Sequence, residues 1–428
     1  MRRLLHSFTF LALCTSMAHA DDLTLSKSEY AEKLHGFWLG QSIANWTGII
    51  TEMDKIGGEG ATGVFYTRED WGTEDQPNAW GGRSDLSRNI DWIRRAPNEI
   101  WGADDDTDIE YMYQHLLATN ATTRLTGEQI RDGWLAHIYD ENERENFLWV
   151  SNQRAHDLML DGMVPPATSD PANNEFYEMI DAQLTTEIFG LYAPGRPDVA
   201  LAMAKLPIAT TASGEAALAS EFYVVMYALA ASADPAMSRK AQIQSMAAAA
   251  RAHLPDESTT AKMYDFVKGR FDAGVPWEQA RDEVYQRYQV DQADGYDMTS
   301  RNIFCNGCFA AGINFAASIV SLLYGEGDYQ ETVKIAVLAG WDSDNPAATW
   351  GGLLGFMDGK AGVEEAFGQQ FSDRYNIHRT RRGFPTPNGV DNFDAMAATG
   401  IAIVDRVVAD EIGGKVDGDV WVIPRAAP

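Results

Sequence analysis

Three adjacent carboxylates, Asp104, Asp105 and Asp106, and a second pair, Asp342 and Asp344, are the residues of this chain best suited to hold hard cations. Carboxylates packed side by side repel one another, and a fold that keeps them together needs solvent, a helix N-terminus or a cation to offset the charge. Divalent ions that prefer oxygen ligands suit such a set. Either cluster alone also has a plainer reading as a solvated acidic turn. Upstream, Glu52 closes a run that includes Gly36, Gly40, Asn45 and Gly48. Alone, such a glutamate is an ordinary surface residue. Together the three segments point to bound divalent cations.

The elements that position these residues read as helices. After Asp106, segment 107–117 places Ile109, Met112, Tyr113 and Leu116 on one side, which sets the three acids at its positive end. Asp328 with Glu331 makes a capping-box-like start, and Val333, Ala336 and Val337 recur at helical spacing up to Gly340. Asp342 and Asp344 then fall in a helix-to-helix loop, and Asn345-Pro346 opens the next helix. Gly36 and Gly40 share a helix face and permit close packing. Thr126 and Gln129 open another helix, with Ile130, Trp134 and His137 along one face. Segments 175–192, 214–231, 237–254, 259–271 and 277–288 carry the same periodicity, with Pro194, Pro197, Pro207, Pro235, Pro255 and Pro276 between them. Strand-like alternation is scarce, and no repeat of 20 to 50 residues is present. The expectation is an all-α domain over 21–428, interrupted by an irregular, Trp-rich insertion at about 54–100 and ending in a short extended tail over 416–428.

Arg2 and Arg3 precede an apolar run over 8–17, and Ala18-His19-Ala20 forms a small-x-small cleavage pattern. Residues 1–20 are therefore expected to be a signal peptide, and the protein periplasmic or secreted with no membrane anchor. No later stretch reaches the roughly 20 uninterrupted apolar residues that spanning requires. The chain has 62 acids against 34 bases, net −28, which argues against binding nucleic-acid backbones or anionic membranes through charge. Beyond the leader only Cys305 and Cys308 remain, too few for a disulfide scaffold. Their C-x-x-C lacks a second ligand pair for zinc, leaving core packing or a local disulfide.

In order and approximate separation, the three acidic segments resemble the ADP-ribosylglycohydrolase family. His35-Gly36-Phe37-Trp38-Leu39-Gly40 through Gly48 and Glu52 is similar to that family's Gly-x-x-x-Gly-Asp-x-x-Gly-x-x-x-Glu opening. Asp105-Asp106-Thr107 is similar to its Asp-Asp-Thr, and Gly340-Trp341-Asp342-Ser343-Asp344 to its Gly-Gly-Asp-Thr-Asp. Ala182-Gln183, Pro194-Gly195-Arg196-Pro197 and the 214–231 helix resemble a larger-bodied, exported bacterial branch. The resemblance implies a compact multi-helix fold with a dinuclear metal cleft that cleaves a bond at the anomeric carbon of a ribose. It implies Asp105, Asp106, Asp342 and Asp344 as metal ligands, Glu52 as ligand or proton-transfer group, and Glu52, Asp106 and Asp342 as the catalytic set. Asp104 and Asn345 stand where the family has other ligands and join the candidate ligands. Asn45 stands where the family has Asp, and with Trp341 and Gln183 it is a candidate substrate contact. Two divalent cations are implied, Mg2+ first, with Ca2+ or Mn2+ compatible. A dinuclear site orients sugar hydroxyls and acidifies water, while a carboxylate moves the proton.

The expected partner is a small-molecule glycoside, a nucleotide-sugar or a glycan. Three functions remain open: hydrolysis of an ADP-ribosyl or related ribofuranosyl linkage, hydrolysis of extracellular glycans or glycosides at the same site, or non-catalytic binding. Half of the 12 tryptophans, Trp38, Trp46, Trp71, Trp80, Trp92 and Trp101, lie in the first quarter of the chain. Most are expected in the core, with one or two at a cleft rim where an indole stacks on a sugar or base. Gly58-Glu59-Gly60-Ala61-Thr62-Gly63 has dinucleotide-loop spacing but no preceding strand. Segment 291–297 fails calcium-loop spacing. His35 and His115 are expected to be packed, and Asn302, Asn306 and Asn314 to be helix-surface polar groups or cleft lining.

Overall fold

The Ser26 side chain accepts a hydrogen bond from the Glu29 amide and so starts the first helix. The computed structural model describes residues 22–58, 60–298 and 305–425; the expected leader, Glu59 and Asn302 lie outside them. In chain order the described residues form α1 (Lys27–Gly48), α2 (Asp105–Thr119), α3 (Gly127–His137), α4 (Val150–Leu160), α5 (Ile188–Tyr192), α6 (Pro197–Ile208) and α7 (Glu215–Ala230). They continue with α8 (Arg239–His253), α9 (Thr259–Asp272), α10 (Trp277–Val284), α11 (Ala311–Tyr324), α12 (Tyr329–Ala339), α13 (Asp344–Phe367) and α14 (Phe393–Val407). Strand content is small: β1 (Leu23–Ser26), β2 (Trp101–Gly102), β3 (Arg374–Asn376), β4 (Val390–Asn392), β5 (Lys415–Asp417) and β6 (Val420–Ile423). They make two three-stranded sheets, in orders β1-β6-β5 and β2-β3-β4. The fold is all-α, as expected.

The central contact is α1 against α13. A Cβ at Gly36 would lie 2.2 Å from the Gly355 carbonyl oxygen, and one at Gly40 would lie 2.4 Å from that of Gly351. The same face continues to Gly48, where a Cβ would lie 2.3 Å from the Asp344 Cα. Glycine thus brings the end of α1 against the start of α13, and Phe37, Trp38, Trp350 and Leu353 are buried in the surrounding core.

Several starts follow the expected chemistry. Thr126 and Gln129 form both bonds of a capping box at α3. Asp328 caps α12 through the Glu331 amide at 2.8 Å, but the Glu331 carboxylate turns to Arg68 instead of closing the box. Segment 175–192 is not one helix: only its end, α5, is α-helical. The rest is tied down by tertiary bonds, with the Ile180 amide donating to the Phe309 carbonyl at 2.9 Å and Met179 bridging to Ala310. Pro197 opens α6, where its missing N–H costs nothing, and Pro207 lies in the last turn of that helix. The tail expected over 416–428 is, over its described part, the β5-β6 hairpin packed on β1.

The described residues of 54–100 are irregular, with two single turns, Ala61–Gly63 and Arg68–Asp70. The segment is anchored by buried Tyr66 and Ile90 and by Trp71, whose ring meets Trp92 edge-on at 5.3 Å.

Candidate metal centre

Three loops converge at the ends of α1, α2 and α12. The Met53 amide donates to the Trp341 carbonyl at 2.8 Å, and the Trp341 amide donates to the Lys55 carbonyl at 2.6 Å. The Thr51 hydroxyl reaches the Val337 carbonyl and lies 2.9 Å from the Ser343 hydroxyl, which donates to the Gly48 carbonyl at 3.1 Å. Met53 and Trp341 are held at φ 58° and 56°, a region that side chains other than glycine rarely adopt. This backbone zipper places Glu52 beside Asp342 and Asp344.

On the third loop, Asp104 precedes α2, and its amide donates to the Thr107 hydroxyl at 3.1 Å. The first turn carries Asp105 and Asp106. Glu52, Asp342 and Asp344 each offer an oxygen within 4.8 Å of the others, and so do Asp104, Asp106 and Asp344. Asp344 belongs to both sets, and its Oδ1 is buried without a hydrogen-bond partner. Asp105 is half-buried and borders the same space without entering either set.

Burial, reinforced by Asp104, pushes the Glu52 carboxyl up to about 7. Burial and then the neighbouring carboxylates push Asp105, Asp106, Asp342 and Asp344 well above the usual carboxylate range. Such a set is either protonated or neutralised by cations. The oxygen-only donors and the orphaned Asp344 acceptor fit hard divalent ions.

A layer of amides orients the carboxylates from behind. Asn45 Nδ2 donates to Asp106 Oδ2 at 3.1 Å and to Asp104 Oδ2 at 3.2 Å. Asn345 Nδ2 donates to Asp106 Oδ1 at 3.3 Å, and the Asn345 oxygen accepts from Gln183 Nε2 at 3.1 Å. The three amides are fully buried, so Asn45 and Gln183 support the ligand layer rather than line the cavity, and the Asn345 oxygen is engaged by Gln183. Trp341 also does not reach the cavity. It is fully buried against Phe65, and its Nε1 donates to Gln289 Oε1 at 2.8 Å. The zipper that presents Asp342 turns this indole into the core.

Asp104 does not act as a free extra charge: Arg379 Nη1 donates to its Oδ1 at 3.0 Å and to the Ala103 carbonyl at 2.6 Å. One turn deeper, Asp108 is paired with Arg381 at 2.8 Å, both fully buried. Beneath them Glu110 accepts from the Ile188 amide at 2.8 Å, and Glu187 accepts from the Thr349 hydroxyl at 2.7 Å. Burial lifts Glu187 to about 7.

The cluster opens into two cavities, of about 20 and 350 Å³, that share Glu52, Asp105 and Trp149. The smaller, also lined by Asp181 and Phe309, has room for about one water. The larger is walled by the 78–86 part of the irregular segment and by Phe147 and Arg379. Trp149 is 51% exposed, and Trp80, 63% exposed, stacks on Phe309 with centroids 6.0 Å apart. Trp38 and Trp101 are core residues, and Trp46, Trp71 and Trp92 are packed by neighbours. Trp149, Phe309, Asp181 and Arg379 escaped sequence reasoning because none lies in a motif.

Cys305 and Cys308 are disulfide-bonded. The ring they close is linked to the second acidic loop. Gln289 Nε2 donates to the Asn306 carbonyl at 3.0 Å while Gln289 Oε1 receives the Trp341 indole. Asn314 Nδ2 donates to the Cys308 carbonyl at 2.7 Å while Asn314 Oδ1 receives the Asp342 amide at 3.2 Å. His35 is held by Asp394 at 2.7 Å, and His115 packs on His137 and Phe384.

No curated protein matches the chain. A solved structure described as "ADP-ribosylglycohydrolase-related protein complex" is 15% identical over 88% of this chain and 98% of that chain, with a TM-score of 0.48. A family model described as ADP-ribosylglycohydrolase matches residues 26–389, which span all three acidic loops. This chain therefore belongs to the ADP-ribosylglycohydrolase family, a family of hydrolases.

Proposed function

We propose that the chain is an exported, metal-dependent hydrolase of glycosidic or N-glycosidic bonds that acts at the anomeric carbon of an ADP-ribosyl or related ribofuranosyl group. The observation that carries this reading is the pair of three-carboxylate sets joined at Asp344. Glu52, Asp342 and Asp344 would hold one divalent cation and Asp104, Asp106 and Asp344 a second, with Asp105 at the rim. Mg2+ is the first choice, and Ca2+ or Mn2+ also suit oxygen donors. When bound, the cations would orient sugar hydroxyls and acidify water.

The chain's own residues do the rest. Asn45 and Asn345, the latter held by Gln183, orient the Asp104 and Asp106 oxygens from behind. Glu52, at the mouth shared by the two cavities, is placed to take and return a proton at its carboxylate. Positive charge developing at a sugar C1 is favoured by the surrounding acids. The leader expected at residues 1–20 supports export. Among the described residues no helix is long and apolar enough to cross a membrane.

The test is Glu52→Gln with two readouts. Turnover of a ribofuranosyl panel should fall by at least about a hundredfold, while calorimetry still records the cation of the Asp104, Asp106 and Asp344 set. Chelation should abolish wild-type turnover and Mg2+ restore it. Full activity in Glu52→Gln, or in chelator, would sink the proposal.

A further inference from the structure

We infer that the Cys305–Cys308 disulfide is a latch on the second acidic loop, which gives the Glu52, Asp342 and Asp344 set its full cation affinity in the oxidised chain and a weakened one in the reduced chain. The inference rests on the metal-dependent reading above and adds a control to it. The first observation is a pair of buried amide bridges between the disulfide ring and that loop. Gln289, in a π-helical turn over Tyr285–Val290, donates through Nε2 to the Asn306 carbonyl at 3.0 Å and receives the Trp341 indole at Oε1 at 2.8 Å. Asn314, in the first turn of α11, donates through Nδ2 to the Cys308 carbonyl at 2.7 Å and receives the Asp342 amide at Oδ1 at 3.2 Å. Each amide thus has one end on the ring and the other on the loop. Gln289, Asn314 and Trp341 are buried, so a lost partner leaves a polar atom with no water to replace it.

The second observation is the shape of the ring. Asn306 and Gly307 stand at φ 59° and 76°, two consecutive left-handed residues of which the first carries a side chain. The disulfide closes this turn, and the carbonyls that accept both bridges lie inside it. On the loop side, Trp341 at φ 56° is kept in its own unfavourable conformation by two anchors, the zipper to residues 53–55 and the Gln289 bridge. Directly after the ring, Phe309 lines the smaller cavity, and its carbonyl accepts the Ile180 amide at 2.9 Å. One turn therefore sets both a ligand loop and a cavity wall.

Cys305 is partly exposed and Cys308 fully buried, so thiol exchange enters at the Cys305 sulfur. A thiolate of a dithiol bonds to that sulfur, the Cys305–Cys308 bond breaks, and Cys308 leaves as a thiolate that takes a proton. The reagent's second thiolate then attacks its own sulfur in the mixed disulfide, and Cys305 leaves in the same way. The chain has gained two electrons and two protons, and the dithiol has become a disulfide. Formation is the reverse, with a disulfide donor as oxidant. On the export proposed above, the chain passes from a compartment that keeps thiols reduced to one that oxidises them. The latch restrains the hydrolase until that passage is made.

The experiment titrates Mg2+ by calorimetry into the full chain before and after reduction by a dithiol, with free thiols counted in each sample. Reduction should weaken the cation of the Glu52, Asp342 and Asp344 set about tenfold, with a smaller shift in the other, and reoxidation should restore it. Glu52→Gln identifies which transition belongs to which set. The Asp342 amide should exchange with deuterium faster in the reduced chain, while core amides of α1 keep their protection. Cys305→Ser with Cys308→Ser should match the reduced chain and ignore oxidants. Gln289→Met, which keeps the side-chain volume and removes one bridge, should weaken the same cation and narrow the difference between redox states. Equal Mg2+ binding by the oxidised and reduced chains overturns the inference and leaves the hydrolase reading standing. Global unfolding on reduction overturns it too, because the disulfide then supports the whole fold rather than this loop. An unaltered redox difference in folded Gln289→Met overturns it as well. No Mg2+ binding by the oxidised chain overturns both readings.

Discussion

At the scale of single residues, the site is set by what each carboxylate has behind it. Asp106 accepts amide donors on both oxygens and Asp104 accepts an amide and a guanidinium, whereas Asp344 keeps a buried oxygen without a partner. Arg379 is then the residue that limits how strongly Asp104 attracts a cation. Arg379→Gln should tighten cation binding by about tenfold, since one neighbouring unit charge is worth on the order of a kcal/mol or more at such sites. The same variant should melt lower in chelator, where nothing replaces the lost counter-charge. Calorimetric titration with Mg2+ checks the first effect; weaker binding in the variant would show that Arg379 supports the site by packing on Trp46 and Phe147 alone. The acids themselves were visible in the sequence because they are adjacent or one residue apart. Arg379 was not, because its link to Asp104 spans 275 positions.

At the scale of elements, the α1-α13 contact decides whether Glu52 and Asp344 meet at all. Gly40→Ala places a methyl 2.4 Å from the Gly351 carbonyl oxygen, backbone that cannot swing away. It should cost about 1–3 kcal/mol and weaken cation binding, because the helices must separate. Gly269→Ala in α9 is the control: nothing lies within 4 Å of its Cβ, so it should stabilise by roughly 0.5–1 kcal/mol. Thermal melting of both variants reads the difference, and an unshifted Gly40→Ala would refute the role given to the contact. Periodicity made α3, α7, α8, α9 and α12 legible, and shared spacing made Gly36 and Gly40 legible as a packing face. It failed at 175–187 because that segment's amides are spent on distant partners such as the Phe309 carbonyl. It failed at Trp341 because a residue next to a candidate ligand carries no sign of which way its ring turns. The zipper to residues 53–55 decides that, and it exists only in the folded chain.

At the scale of the whole molecule, the notable expense is buried acid. Besides the metal set, burial lifts Asp181 to about 6 and Glu187 to about 7. In these groups the folded chain holds protons that the unfolded chain releases near pH 4. Their favourable contribution is therefore present at low pH and is lost as pH rises through about 6 to 7. In chelator, the melting temperature should fall between pH 5 and pH 8. Mg2+ should recover the loss at pH 8, since a ligand bound by the folded state stabilises it by mass action. A melting temperature that rises over that range in chelator would contradict the sign. The net charge of −28 works in the same direction, through self-repulsion that grows as carboxylates ionise.

The three glycines on α1 also bear on how this site is recognised in other chains. Acidic pairs in loops arise often in acidic proteins, but a Cβ at Gly48 would stand 2.3 Å from the Asp344 Cα. A chain that keeps every carboxylate yet carries a side chain there cannot bring its two walls together by this route. A search for further members should weigh Gly36, Gly40 and Gly48 as heavily as the aspartates, and should treat matching acids without them as a different architecture.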